Sequence, residues 1–516
     1  MCPMCLCVKK NAKIDKIMKF LNQKIAKTAL ALALMFSASC KPEYLEVVPR
    51  GSLTADNFYK TAEHAELATN AVYNVMRRWE VTVFAYLGCT DILSDDADKG
   101  SEPNDALFVL DMDNLTFDAG NLAPLSCWDG YYRAIYRANI AIQKIPAIEM
   151  DAKLRARYVA ECQFLRAHFY FNLVRWFGDV PLVLAPLSPD EFKLTRTPSG
   201  DVYKQIIKDL TESIAILPEK SQYPSADLGR VTKGAARGLL TKVYLTTKDY
   251  PNAEKYALEV INSNEYSLLP DYTKIFLPEG ENTSESLFEI QCTAKAERQT
   301  FDAPYDGGSQ FNEVQGVRGS PNLGWGFNRP SNSFILEFEA GDPRRDASIL
   351  YEGEVLPDGS AIVEKNPNLF NARFNQKAWT PAHVGFNYNG PGNIRILRYS
   401  DVLLIAAEAM NENGKTTLAL TNLNAVRKRA RGTNTNILPD VTLTDKVKIR
   451  EAIWHERRVE LGMEQQRWFD LVRTGQAEAA LTKHGKTFVK NKHELLPIPQ
   501  KEIDLSSQLL KQNPGY

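Results

Sequence analysis

The hydrophobic positions of this chain step mostly by three and four, the period of a helix with one buried face. Leu154, Tyr158, Cys162, Leu165, Phe169, Leu173 and Trp176 make the clearest such stripe, and Gly178 with Pro181 ends it. Upstream, Thr61 is placed to cap a helix running to about Arg78, with Glu63 in the first turn, where the helix dipole favours an acid. Residues 232–263 predict a helical pair, GAARGLLTKVYLTT and NAEKYALEVINS, broken at Asp249-Tyr250-Pro251. A second pair follows much later, DVLLIAAEAMNENGK and TTLALTNLNAVRKRA, and a final helix is predicted from about Asp445 to Thr474. Each pair sets small residues against Tyr and Leu at helix-crossing spacing, as tetratricopeptide hairpins do. Because the pairs are separated along the chain, they do not predict a simple solenoid.

Between the pairs the pattern dissolves. Residues 270–395 are rich in Gly, Pro, Asn and aromatics, with only short strand-like runs such as SLFEIQ and AIVEK. Residues 80–130, with the acidic run DILSDDADKG, form a second irregular region. Long loops on a helical scaffold are where binding and chemistry concentrate.

The N-terminus carries the three parts of an export signal. Lys19, Lys24 and Lys27 precede the apolar run from Thr28 to Phe36, which ends in Ser37-Ala38-Ser39 before Cys40. That run falls far short of the roughly 20 residues that span a bilayer. Cys40 after small residues resembles a bacterial lipobox, although Ser37 stands where Leu is usual, so Cys40 is read as the lipid anchor of the mature chain. Met18-Lys19-Phe20 would open a normal signal, so the true start is expected at Met18. The Cys2-x-x-Cys5 spacing has no second ligand pair to make a metal site. Of the remaining cysteines, Cys89, Cys127, Cys162 and Cys292, the spacing selects no pairing, and Cys162 on its apolar face is expected as a buried thiol.

Composition adds little until the signal is set aside. The chain has 516 residues with 62 basic and 63 acidic side chains. Residues 1–39 hold seven Lys and one acid, so the remainder has 55 basic against 62 acidic, a net charge of −7. Nothing here is the basic footprint of a nucleic-acid binder.

Several motifs touch on chemistry without completing it. His455-Glu456 begins a zinc-protease pattern, but Val459 stands where the second His belongs. Gly414-Lys415-Thr416 echoes a phosphate loop, yet Ala409 replaces its first Gly and a helix precedes it, so it reads as the turn of a hairpin. Glu456 and Glu460 lie one helical turn apart, a spacing open to acid–base work. Arg457, Arg458 and Arg467 crowd them, however, and arginine neighbours hold a carboxylate ionised. Structural ion pairs locking the last helix to the body are therefore expected. The segment Ser94–Gly100 could attract calcium, but it lacks the alternation and distal Glu of a calcium loop and reads as a solvated loop. No metal or cofactor is called for.

Seven blocks carry a resemblance. They are LEVVPRGSLTADNFYKTAEHAELATNAVY, WDGYYRAIYRANIAIQKI, ECQFLRAHFYFNLVRWFGDVPLV, GRVTKGAARGLLTKVYL, RYSDVLLIAAEA, REAIWHERRVELGMEQQRWFDLVRTG and LLPIPQKEIDLSSQLLKQNPGY. In this order they resemble the SusD/RagB family of outer-membrane lipoproteins from Bacteroidetes, with Ser400 where the family often has Ala. The resemblance implies a mainly α fold with tetratricopeptide-like hairpins, a long loop-rich ligand-binding region and a few short strands. It implies a signal over 1–39, a helical N-terminal region over 40–270, the loop-rich region over 271–395 and a C-terminal helical region over 396–516. It further implies a non-catalytic lipoprotein facing outward from the outer membrane. Such a protein captures glycan or oligosaccharide and delivers it to a SusC-like TonB-dependent transporter. An oligopeptide ligand on the same architecture, and a helical-repeat scaffold that binds only protein, are the alternatives.

For a sugar ligand the aromatic side chains matter most, because a pyranose presents an apolar face of C–H groups to a ring. Trp325 lies between glycines in the loop region, and Trp79 closes the first predicted helix at the edge of the other; both are expected to bind ligand, with Tyr86 and Tyr305 beside them. Trp128, Trp176, Trp454 and Trp468 fall on helical faces and are expected in the core.

Overall fold

The helical periods become a stack of antiparallel helices. In the computed structural model, residues 58–293, 307–318, 324–363, 365–366, 368–369, 372–381 and 390–516 are described, together with 16, 18–21 and 24. Met1–Phe58 and Tyr59–Tyr516 are separate compact units, and in the first the described residues 16, 18–21 and 24 are helical and exposed. Cys40 and Tyr305 lie outside the described residues.

The second unit opens with α1 (Ala62–Val75), capped by the Thr61 hydroxyl accepting from the His64 amide. That helix stops three residues short of Arg78, and two short helices follow, α2 (Trp79–Thr82) and α3 (Phe84–Gly88). Then come α4 (Leu107–Asn114), α5 (Leu122–Lys144), α6 (Ala152–Phe177), α7 (Ser199–Ile216), α8 (Lys233–Thr246) and α9 (Tyr250–Ile261). Gly178 ends α6 at φ 70°, a conformation that glycine adopts without strain. The region 80–130 is thus more helical than its composition implied: Phe84 begins a short helix buried throughout, and Leu107 and Leu122 begin helices with one buried face.

From α5 to α9 each helix packs on the next, and α9 then packs on α10 (Tyr399–Glu412), which pairs with α11 (Thr416–Arg431). The two hairpins, far apart in sequence, are therefore neighbours in space. Gly414, at φ 79°, makes the turn between α10 and α11, so the phosphate-loop echo is a hairpin turn.

The predicted final helix is two: α12 (Lys446–Leu461) and α13 (Arg467–Thr474), with α14 (Ala477–His484) beyond. Gly462 ends α12, and Met463 and Gln465 take positive φ, which turns Glu464 inward. Its carboxylate accepts from Arg398 at 2.7 Å and from Lys377 at 2.8 Å. A buried ion pair, invisible to periodicity, breaks the helix here.

The region between the hairpins contributes paired strands. β1 (Ala97–Gly100) pairs antiparallel with β3 (Phe327–Pro330), β2 (Ser286–Ile290) with β6 (Ile394–Arg398), and β4 (Ile349–Tyr351) with β5 (Arg373–Asn375). SLFEIQ is β2 as expected. Of AIVEK, the described residues 361–363 form no strand and make one isolated bridge, Ile362 to Val355. The β2–β6 ribbon lies on α8 at Gly238, where an added Cβ would stand 2.7 Å from both Leu287 and Leu397. Cys89, Cys127, Cys162 and Cys292 are free thiols, Cys162 buried as its stripe predicted. Among the described residues no helix is long and apolar enough to cross a membrane.

Candidate functional site

The acidic run and the glycine-flanked tryptophan, 230 residues apart in sequence, are parts of one structure. Ser94–Gly100 is not a solvated loop. Asp95 and Asp96 are buried, and Arg458 of α12 reaches Asp96 at 2.7 Å and Asp95 at 2.9 Å. Arg467 of α13 holds Asp95 at 2.8 Å, and Asp98 pairs with Arg329 at 2.7 Å. Burial pushes the Asp95 carboxyl up, but Arg467 and Arg458 pull harder and bring it down to about 2. Among the described residues no group of His, Cys, Asp and Glu could hold a metal ion. The acids are consumed by arginines, and their work is to fix β1.

β1 fixes β3, and β3 fixes the tryptophan. Gly100 stands at φ 71°, and a Cβ there would lie 2.3 Å from the Gly326 carbonyl. Gly324 bridges Arg318 and leaves its own Cβ position 2.4 Å from the Gly316 carbonyl carbon. The glycines beside Trp325 thus serve close backbone packing, which pins the loop instead of loosening it.

Trp325 is half-buried. Its indole N–H donates to Glu313 Oε1 at 3.1 Å and its amide to the Glu313 carbonyl at 2.9 Å. The ring lies 5.9 Å from that of Trp79 and 6.3 Å from that of Phe84. Trp79 is half-buried as well, 5.0 Å from Phe84, and Phe84 lies 4.5 Å from Phe327. Phe84 and Phe327 form a buried floor under the two half-buried indoles. Arg318 donates to the Trp325 carbonyl at 3.3 Å and pairs with Glu102 and Asp105 at 3.1 Å, a polar fringe beside the rings.

The structure therefore brings Trp79 and Trp325 together. Tyr86 lies elsewhere: its side chain is buried, with its ring 5.8 Å from Trp176. Trp128, Trp176 and Trp468 are buried as expected, and Trp454 is half-buried. Phe84 and Glu313 were missed. An aromatic five residues after Trp79 was a usable signal for the first; nothing in the sequence marks Glu313, which finds the indole only through the fold of the loop.

Glu456 and Glu460 are ion-paired as expected, with other partners than their sequence neighbours. Glu456 meets Arg344 at 2.5 Å and Arg427 at 2.9 Å; Glu460 meets Arg398 at 3.0 Å, Arg344 at 3.2 Å and also Arg429. Burial opposes ionisation of Glu460, but Arg429, Arg398 and Arg344 hold its carboxyl well below the usual range. Arg457 instead serves Asp401 and Asp470.

Residues 284–516 match the SusD family, and residues 44–245 match a family described as starch-binding and associating with the outer membrane. A solved laminarin-binding SusD-like protein is 32% identical, with a TM-score of 0.75 over 89% of this chain and 100% of that one. Surface glycan-binding protein A from Bacteroides thetaiotaomicron, solved with laminarihexaose, is 26% identical, with a TM-score of 0.75 over 88% of this chain and 100% of that one. SusD-like protein P2 of Formosa agariphila is 29% identical over 92% of this chain and 96% of its own length. This chain belongs to the SusD family.

Proposed function

We propose that this protein is a surface-facing outer-membrane lipoprotein, anchored through Cys40, that captures glycan chains and passes them uncleaved to a SusC-like TonB-dependent transporter. One observation carries the reading. Two half-buried indoles, Trp79 and Trp325, stand together on a buried aromatic floor, with charged side chains at their edge. Open aromatic faces meet the C–H faces of sugars, and the polar fringe meets hydroxyls. The glycan named for two similar structures, laminarin or its hexasaccharide, supports the same ligand class here. The outer-membrane description of the N-terminal match supports the location.

Binding without cleavage is supported by the state of the one carboxylate pair that sequence spacing offered. Glu456 and Glu460 are fully buried among arginines, out of reach of a glycosidic oxygen. A polysaccharide panel tests the reading: purified protein should be retarded in gels containing its glycan, and the glycan should show no new reducing ends after prolonged incubation. Gentle detergent extraction should recover a large β-barrel with it. Retardation by no glycan, or capture of peptides instead, would overturn the ligand assignment.

A further inference from the structure

A cleft opens one residue away from Trp325. It has a volume of about 330 Å³ and lies between β1, β3 and β5, with Leu369 and Gly326 in its wall. That volume is at the small end of ligand pockets. Phe374 and Leu369 give it an apolar side, and Lys99, Arg329 and Arg373 a cationic one.

The charges do not balance. Asp98 is engaged by Arg329 at 2.7 Å and His484 at 3.1 Å, and Asp113 by Lys486 at 2.8 Å. Lys99 is spent on the backbone carbonyls of Glu102 at 2.7 Å and Asp105 at 2.8 Å. Arg373 is 3% exposed, and its Nε donates to the Pro330 carbonyl. Among the described residues no carboxylate lies within 4.0 Å of its guanidinium. Burial, and then the neighbouring Arg329, pull it below the usual guanidinium range, against a weaker upward pull from Asp98 and Tyr351. A buried guanidinium without a carboxylate is costly, and wherever such a group lines a cleft an anion relieves the cost.

Resting on the glycan reading above, we propose that this cleft seats an anionic sugar unit of the captured chain, its carboxylate or sulfate ester paired with Arg373. Guanidinium forks bind two oxygens of a carboxylate or of a tetrahedral oxyanion through two parallel hydrogen bonds. Phe374 packs against the sugar's C–H face, and the chain continues past Gly326 to the rings of Trp325 and Trp79.

The test is calorimetric titration of the full mature chain with trigalacturonate, a sulfated carrageenan tetrasaccharide and neutral laminaritetraose. Titrations run at about 50 and about 300 mM salt, which changes screening of an ion pair. The expected result is at least tenfold tighter binding of one charged probe than of the neutral one, an advantage that shrinks in high salt. Whichever charged probe wins assigns carboxylate or sulfate. Arg373→Gln should weaken the charged probe at least tenfold more than the neutral one. Arg373→Lys, which keeps the charge and loses the fork, should fall between, and it serves if the Gln variant does not fold. No preference for either charged probe, or a preference that survives in both variants, overturns the inference. Neutral binding that persists and depends on Trp325 would then leave the glycan reading standing, whereas binding of no saccharide would remove both.

Discussion

Arg398 and Glu460 meet at 3.0 Å in the interior, their side chains 2% and 0% exposed. Arg398 also holds Glu285 at 2.6 Å and Glu464 at 2.7 Å, and donates to the Ser400 hydroxyl at 2.7 Å. The residue that departs from the family's usual Ala is thus a hydrogen-bond partner of the central arginine. Through this group the start of the second hairpin, the strand ribbon and α12 are tied at one point. Removing one partner of a buried network leaves charges without compensation, which costs about 3–5 kcal/mol. Glu460→Ala should therefore lower the urea midpoint steeply. A midpoint within experimental error of the parent would contradict this.

Acid should act through His168. It is 6% exposed, and burial, then Arg175 and Lys242, push its pKa down to about 3. The unfolded chain, with an ordinary value near 6.5, binds that proton more readily, so the stability His168 contributes is lost as pH falls from about 6.5 towards 3. Asp91 runs the other way. Burial raises it to about 7, so its contribution falls as pH rises from about 4 to 7. Comparison with a variant isolates the histidine. His168→Gln should reduce the loss of unfolding free energy between pH 6 and pH 5 by about 1 kcal/mol. Equal losses in parent and variant would show that His168 titrates normally.

Helices were legible because burial on one face writes a period into the sequence. The α6 stripe, the Thr61 cap and both hairpins lie where Leu165, Thr61 and Gly414 predict them. Long-range charge was not legible. Asp95 and Asp96 look like a solvated loop until Arg458 and Arg467, over 360 residues away, are brought onto them. The same blindness joined α12 to α13, since only Arg398 and Lys377 explain why Glu464 turns inward. At the site, residue type singled out Trp79 and Trp325, but their 5.9 Å approach depends on β1 pairing with β3, which no local pattern encodes.

The anchor is tested by one substitution. Acyl chains on Cys40 would hold the mature chain firmly, two or more chains doing what a single one does only reversibly. Cys40→Ala should release soluble protein into the periplasm or medium. Fractionation of the variant with membranes, as for the parent, would contradict the lipoprotein assignment.

The central claim is that glycan lies on the paired indoles of Trp79 and Trp325. The most direct measurement is titration of the protein's best-binding polysaccharide into Trp79→Ala, Trp325→Ala and the parent, with a thermal melt of each. Each variant should lose at least about tenfold in affinity, equivalent to 1.4 kcal/mol. The half-buried rings and the Glu313 hydrogen bond should cost only about 1–2 kcal/mol of stability. Lost affinity with a cooperative, modestly lowered melt is the predicted result. Parental affinity in both variants, or a collapse of stability by the roughly 3–5 kcal/mol of an emptied core site with residual binding intact, would contradict the account.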